Sequence, residues 1–172
     1  MAYDTFRAMG AASASSQALR RGATLREPEL EIRHSVLIRA PREKVWAALT
    51  TAEGFDGWWG TRGSEIDLRP GGKLTLRWRE WGAEKQHNHD QVGIVVEAVP
   101  PQRFVYRWGA STDAMTTVEF DLLEREGGTL LRLREFGFAP TPEGRESFGS
   151  NSLGWGEVST LLKFYVEHGL HY

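Results

Sequence analysis

Four places in the sequence hold residue types able to do chemistry in an apolar setting. Glu135 continues the alternating series Leu131 and Leu133 in "LLRLREFGF", so it falls on the same strand face as those leucines. A carboxyl group there can orient the polar end of a ligand or act as an acid or base with a raised pKa. It can equally lie at a strand end and reach water, or pair with an arginine. Tyr106 and His34 are its possible companions; His34 shares a face with Ile32 and Val36, where an imidazole is as readily structural as catalytic. The stretch "HNHD" places His87, His89 and Asp90 close together. Alternate residues on a strand can share a metal, but no third ligand is identifiable nearby and the composition fits a solvated hairpin loop, so no metal site is expected.

Motifs for the commoner catalytic chemistries are missing. There is no nucleophile elbow, phosphate loop, dinucleotide fingerprint or zinc-protease helix, and Gly54, Gly57, Gly60 and Gly63 precede strand signals instead of opening a helix after one. No cofactor is expected. The absence of cysteine excludes disulfides, thiolate metal sites and a cysteine nucleophile.

The elements that would position these residues read clearly from residue 29 onward. "LEIRHSVLIRAP" alternates Ile32, Val36 and Ile38 with Arg33, Ser35 and Arg39, as a half-buried strand does. Pro41 suits the first turn of a helix, and Val45, Trp46 and Leu49 then recur at helical spacing. Thr51 can cap a second short helical turn through "AEGF", after which "DGWWGTRG" reads as a glycine-punctuated loop presenting Trp58 and Trp59. Pro70 and Gly71 fit the centre of a type II turn, proline fixing φ at the first position and glycine accepting a positive φ at the second.

The strands that follow put Leu74, Leu76 and Trp78 on one face, then Phe104, Tyr106 and Trp108, then Val118, Phe120 and Leu122. Arg77, Arg79, Arg103, Arg107, Arg132 and Arg134 fall opposite, beside Glu119 and Asp121, which predicts cross-strand ion pairs on a solvated face. "HDQVGIVVEAV" is a further strand of ambiguous facing, because Val95 breaks the alternation of Val92, Ile94 and Val96. A single apolar sheet face needs cover. The C-terminal stretch supplies it, with Thr141 as cap, Pro142 as first helical residue, and Phe148, Trp155, Val158, Leu162, Tyr165 and Val166 every three to four positions. Gly149, Gly154 and Gly156 in that helix each cost about 1 kcal/mol relative to alanine, which suggests close approach or a bend around Trp155.

Bulk properties agree with one domain. The chain has 172 residues, 40% hydrophobic and 26% charged, with a formal net charge of -2. No basic excess suits nucleic acid, and no apolar run approaches the ~20 residues that span a bilayer. Residues 1–28 are Ala/Ser-rich and arginine-bearing with no acid between Asp4 and Glu27, and read as a solvated tail or weak helix preceding a domain over 29–172. A cytoplasmic location is expected.

Taken in order, "VLIRAPREKVWAALT", "GFDGWWG", "LRPGGKLTLR", "GIVVEAVPPQRFVYRW", "TTVEFDLLEREGGTLLRLREFGF" and "GWGEVSTLLKFYVEHG" resemble the START-related ligand-binding superfamily. The branch most similar is that of bacterial domains like the activator of heat shock protein 90 ATPase. The resemblance covers residues 30–169 and implies an α+β helix-grip fold: a seven-stranded antiparallel sheet curled around a long C-terminal helix, with two short helices after the first strand. It also implies a hollow between sheet and helix. Trp78, Tyr106, Trp108, Phe120, Leu133, Glu135, Trp155 and Leu162 would line that hollow, with Trp58 and Trp59 near its mouth. The superfamily hosts binders, cyclase- and dehydratase-like enzymes and co-chaperone domains on one scaffold. The expected function is therefore binding of a small hydrophobic molecule. The alternatives are a cyclase- or hydrolase-like enzyme using the same hollow and a co-chaperone-like interaction domain. Expected partners are the small molecule and, left open, a second copy of the chain; nucleic acid and a membrane span are not expected.

Overall fold

The computed structural model describes residues 29–81, 84–85, 87–109 and 114–172, so the predicted tail over 1–28 lies outside the described residues. The chain runs β1 (Glu31–Ile38), α1 (Arg42–Thr50), α2 (Ala52–Trp58), β2 (Glu65–Ile66), β3 (Lys73–Trp81), β4 (His87–Val99), β5 (Arg103–Gly109), β6 (Met115–Arg125), β7 (Gly128–Phe136) and α3 (Pro142–His168). The seven strands form one antiparallel sheet in the order β1-β7-β6-β5-β4-β3-β2. This is the expected α+β helix-grip architecture.

Local sequence signals set most boundaries. Thr51 accepts a 2.9 Å hydrogen bond from the Gly54 amide, and Thr141 accepts one of 3.2 Å from the Gly144 amide with Pro142 as first helical residue, so each side chain satisfies an otherwise orphaned N–H. Gly71 has φ +81° and the Gly72 amide bonds the Arg69 carbonyl at 2.8 Å, which closes the type II turn before β3. α3 ends on Gly169 in the left-handed region, φ 68°.

Helix α3 spans 27 residues, about 40 Å at 1.5 Å per residue, and buries Trp155, Val158, Leu162 and Val166 against the sheet. Its C-terminal half is tied to the edge strand β1: Lys163 Nζ donates to the Leu37 carbonyl at 2.6 Å, and Glu167 Oε1 accepts from the Arg39 amide at 2.6 Å. On the solvated face Arg103 meets Asp121 at 2.7 Å, Glu119 at 2.8 Å and Glu97 at 3.1 Å, while Arg134 meets Glu31 at 2.8 Å. These are the cross-strand pairs that the alternation predicts.

Three expectations are corrected, and the facing of β4, ambiguous in the sequence, is resolved. "DGWWG" is not a loop, because α2 continues through Asp56 and Gly57 to Trp58, with Trp59 as its terminal cap. His87, His89 and Asp90 begin strand β4 and are not a hairpin loop. β4 turns Gly93 and Val95 inward and leaves Val92, Ile94 and Val96 on the outside at 43–46% exposure, and a register shift between Val95 and Glu97 interrupts the alternation. The helix glycines make no close approach: a Cβ on Gly149 or Gly154 would meet nothing within 4 Å, and one on Gly156 would lie 3.8 Å from His34.

Candidate functional site

Between the inward sheet face and α3 lies a cluster built on tryptophan. Trp59 is at its centre, with ring centroids 4.9 Å from Trp58, 5.2 Å from Trp155, 5.5 Å from Trp108 and 5.6 Å from Trp78. Trp108 and Trp155 also touch each other at 5.7 Å, and Phe120 meets Trp155 edge-on at 5.9 Å. Such tilted and edge-on contacts suit the quadrupoles of aromatic rings. Trp58 is fixed separately, its indole donating to the Ala48 carbonyl at 2.9 Å.

α2 can bring both tryptophans inward because it approaches α3 at a glycine. A Cβ on Gly57 would come within 2.4 Å of the Tyr165 ring, so only glycine fits there without a shift. Trp58 and Trp59 are 1% and 8% exposed and belong to the interior, not to its mouth as expected. Trp78 and Trp108 are the half-buried members, and through them the cluster reaches the surface. His89 stacks over Trp78 at 6.1 Å and bonds Gln91, which in turn donates to the Gly109 carbonyl at 2.8 Å.

Glu135 is fully buried at the end of β7. Its Oε1 accepts from Trp108 Nε1 at 2.9 Å, Thr116 Oγ1 at 2.5 Å and Asn151 Nδ2 at 3.0 Å. Its Oε2 accepts from Trp155 Nε1 at 2.6 Å and Asn151 Nδ2 at 3.2 Å. Each of these four donors is neutral, and together they occupy both oxygens. Glu135 therefore joins β5, β6, β7 and α3 through one group. The expectations of an exposed strand-end carboxylate or an arginine pair do not hold.

Sequence reasoning named Trp108, Trp155 and Glu135 but missed Thr116 and Asn151. Asn151 had a signal, since it precedes Trp155 by one helical turn and asparagine is a poor residue for a helix interior unless its amide has work to do.

Tyr106 is fully buried on β5, its ring 5.4 Å from Phe104, 5.8 Å from Trp108 and 6.2 Å from Phe120. Its hydroxyl has no hydrogen-bond partner. Burial pushes the phenol well above its ordinary pKa, and the negative charge of Glu135 adds to the shift. Leu133 and Leu162 are buried within the same core. His34 is half-buried on β1, and a Cβ on Gly156 of α3 would lie 3.8 Å from its ring.

No group of three or more His, Cys, Asp or Glu side chains able to hold a metal occurs among the described residues. A cleft of about 310 Å³ is present elsewhere, where Pro41, Arg42 and Glu43 at the start of α1 face Glu124, Arg125 and Thr129 of the β6–β7 turn. Thr129 and Glu135 lie at opposite ends of β7, about 20 Å apart along the strand. No described helix is long and apolar enough to cross a membrane.

A sheet gripping one long helix, with its interior lined by aromatic side chains, defines a helix-grip domain. The family model described as "Activator of Hsp90 ATPase homolog 1-like protein" matches residues 39–167, and the chain belongs to that family. Solved structures agree at the level of the fold. A protein from Nitrosomonas europaea has a TM-score of 0.68 at 20% identity, covering 84% of this chain and 98% of that one. One from Rhodobacter sphaeroides has a TM-score of 0.64 at 26% identity, covering 80% and 92%. DynU16, described as a putative protein in the dynemicin biosynthetic locus, has a TM-score of 0.67 at 18% identity, covering 84% of this chain and 51% of that one. A search of curated proteins returns no match.

Proposed function

We propose that this protein, acting in the cytoplasm, binds a small, flat, hydrophobic molecule between the sheet and α3. The observation that carries the reading is the unbroken run of ring contacts from Trp58 through Trp59 to the half-buried Trp78 and Trp108. A core needs filling but gains nothing from aromatic surface that continues outward, whereas a binding site for a flat apolar molecule is typically lined in that way. Trp59, Trp78, Trp108, Trp155, Phe120 and Tyr106 would contact the molecule. Trp58, Leu133 and Leu162 would back the wall, and Glu135 would hold its tryptophans in place. Because the rings now touch one another, binding requires Trp59 to move, and its place at the end of α2 next to Gly60, φ 67°, allows that.

An enzyme reading is less well supported, since it needs free convergent polar groups and both oxygens of Glu135 are engaged. A protein-contact reading has one observation in its favour, the exposed row Val92, Ile94 and Val96 on the outer face. Sedimentation of the wild type and Ile94→Lys tests that row for self-association: a dimer that the substitution splits would support it.

The binding reading is tested by native mass spectrometry of protein purified from its own host, followed by titration with naphthalene derivatives monitored through tryptophan fluorescence. Saturable binding that Trp155→Ala weakens supports it. A wild type that carries no small molecule and binds no probe removes it.

A further inference from the structure

On the inward face of the sheet, one buried side-chain oxygen among the described residues has no hydrogen-bond partner. Among the described residues, four buried side-chain atoms have no hydrogen-bond partner: Arg42 Nε, Thr75 Oγ1, Tyr106 OH and Arg134 Nε. The two arginine nitrogens belong to groups whose other nitrogens meet carboxylates, Glu124 at 3.5 Å and Glu31 at 2.8 Å. Thr75 stands between the inward Leu74 and Leu76 on β3, so its side chain points to the opposite face. Tyr106 remains.

The position does not need a tyrosine for packing. Phe104 on the same strand and Phe120 on β6 fill neighbouring inward sites with the same ring and no hydroxyl. An unpaired buried hydroxyl is a standing cost that phenylalanine would avoid. The rings around Tyr106 offer it no oxygen, and the indole nitrogen of Trp108 is itself a donor already spent on Glu135. The hydroxyl therefore faces an apolar interior with a proton to give.

We propose that Tyr106 donates this hydrogen bond to the buried end of the bound molecule, which is accordingly a flat apolar compound carrying an uncharged carbonyl oxygen: a ketone, ester or amide. The proposal rests on the binding reading above. A carbonyl is preferred to a hydroxyl because a ligand O–H accepting from Tyr106 would bring a proton of its own. Glu135, the acidic group of this cluster, already accepts from four donors on its two oxygens. A carboxylate is disfavoured because it would be desolvated beside the negative charge of Glu135, the same charge that helps keep the phenol protonated.

The test uses three probes of matched shape, 2-acetylnaphthalene, 2-ethylnaphthalene and 2-naphthoate, titrated against the wild type and Tyr106→Phe, with far-UV circular dichroism to confirm that both are folded. The expected result is that the wild type binds the ketone and the hydrocarbon but holds the carboxylate weakest. Tyr106→Phe should then weaken the ketone roughly two- to tenfold, the worth of one neutral hydrogen bond, and leave the hydrocarbon unchanged. The infrared carbonyl stretch of bound ketone should lie lower in the wild type than in Tyr106→Phe, which a change of shape alone would not produce. Loss of both probes in equal measure, or no change in either while the wild type binds both, overturns the role of Tyr106 and leaves binding standing. Failure of the wild type to bind either neutral probe overturns the binding reading, and this proposal with it.

Discussion

Trp155 on α3 donates a 2.6 Å hydrogen bond from its indole nitrogen to Oε2 of Glu135 on β7, tying the helix to the sheet. Three further donors from β5, β6 and α3 converge on the same carboxyl group. The group is thus a shared acceptor, and its removal leaves several buried donors stranded at once.

Glu135→Gln is therefore expected to destabilise the fold, because the amide turns one accepting atom into a donor that faces Trp155 or the Trp108–Thr116 pair. The expected loss is about 1–3 kcal/mol, the cost of leaving a buried donor without an acceptor. Urea unfolding followed by circular dichroism measures it. A loss below about 1 kcal/mol would show that the four donors find other acceptors.

The helix glycines separate into two kinds. Gly149→Ala and Gly154→Ala place a methyl group in open space and are expected to stabilise α3 by about 1 kcal/mol each through helix propensity. Gly57→Ala drives a methyl group into the Tyr165 ring and is expected to cost about 1–3 kcal/mol, as overpacking does. Thermal unfolding of the three variants should move in these opposite directions.

Asp56 holds the turn after α2. Partial burial pushes its pKa up, but hydrogen bonds from Ser64, Thr61 and the Gly63 amide outweigh this and leave it below the usual aspartate value. The unfolded chain takes up a proton at higher pH than the folded one, so this contribution is present near neutrality and is lost as pH falls through the folded pKa below 3.8. Asp56→Asn should lower stability at pH 7 by about 1 kcal/mol and flatten the acid limb of the stability profile, read by denaturant titration at several pH values.

Tyr106→Phe removes a buried hydroxyl that makes no bond, so the unliganded protein is expected to lose no stability and to gain up to about 1 kcal/mol. The wild-type phenol stays protonated in the fold while an unfolded tyrosine ionises near its ordinary value of 10.0, so the wild type should weaken as pH rises past that value. Tyr106→Phe should lose this part of the alkaline slope. Calorimetric scans between pH 8 and 11 on the two proteins compare them directly.

What the sequence disclosed was what local chemistry decides. The alternation of Leu131, Leu133 and Glu135 placed the carboxyl group inward, and Thr51, Pro70–Gly71 and Thr141 marked caps and a turn whose partners lie within a few residues. The failures are tertiary. Gly57 disguised the last turn of α2 as a loop, since its reason is a tyrosine more than a hundred residues further on. Helix propensity made Gly149 and Gly154 look purposeful, but nothing packs against them. The facing of β4 followed from the pairing of Val95 with the inward Tyr106 on β5, which the sequence does not record. The acceptor role of Glu135 depended on Asn151 and Trp155 reaching it from α3.

The stacking of Trp58 on Trp59, with an interplanar angle of 15°, has a spectroscopic consequence. Indole transition dipoles at such separations couple as excitons, so the excited state is shared among neighbouring rings instead of residing on one. The near-ultraviolet circular dichroism should carry a split couplet, and the emission should be depolarised by energy transfer within the group. Any motion of Trp59 out of the stack would collapse the couplet and restore the polarisation, so the protein carries its own unlabelled reporter of whether the interior has opened.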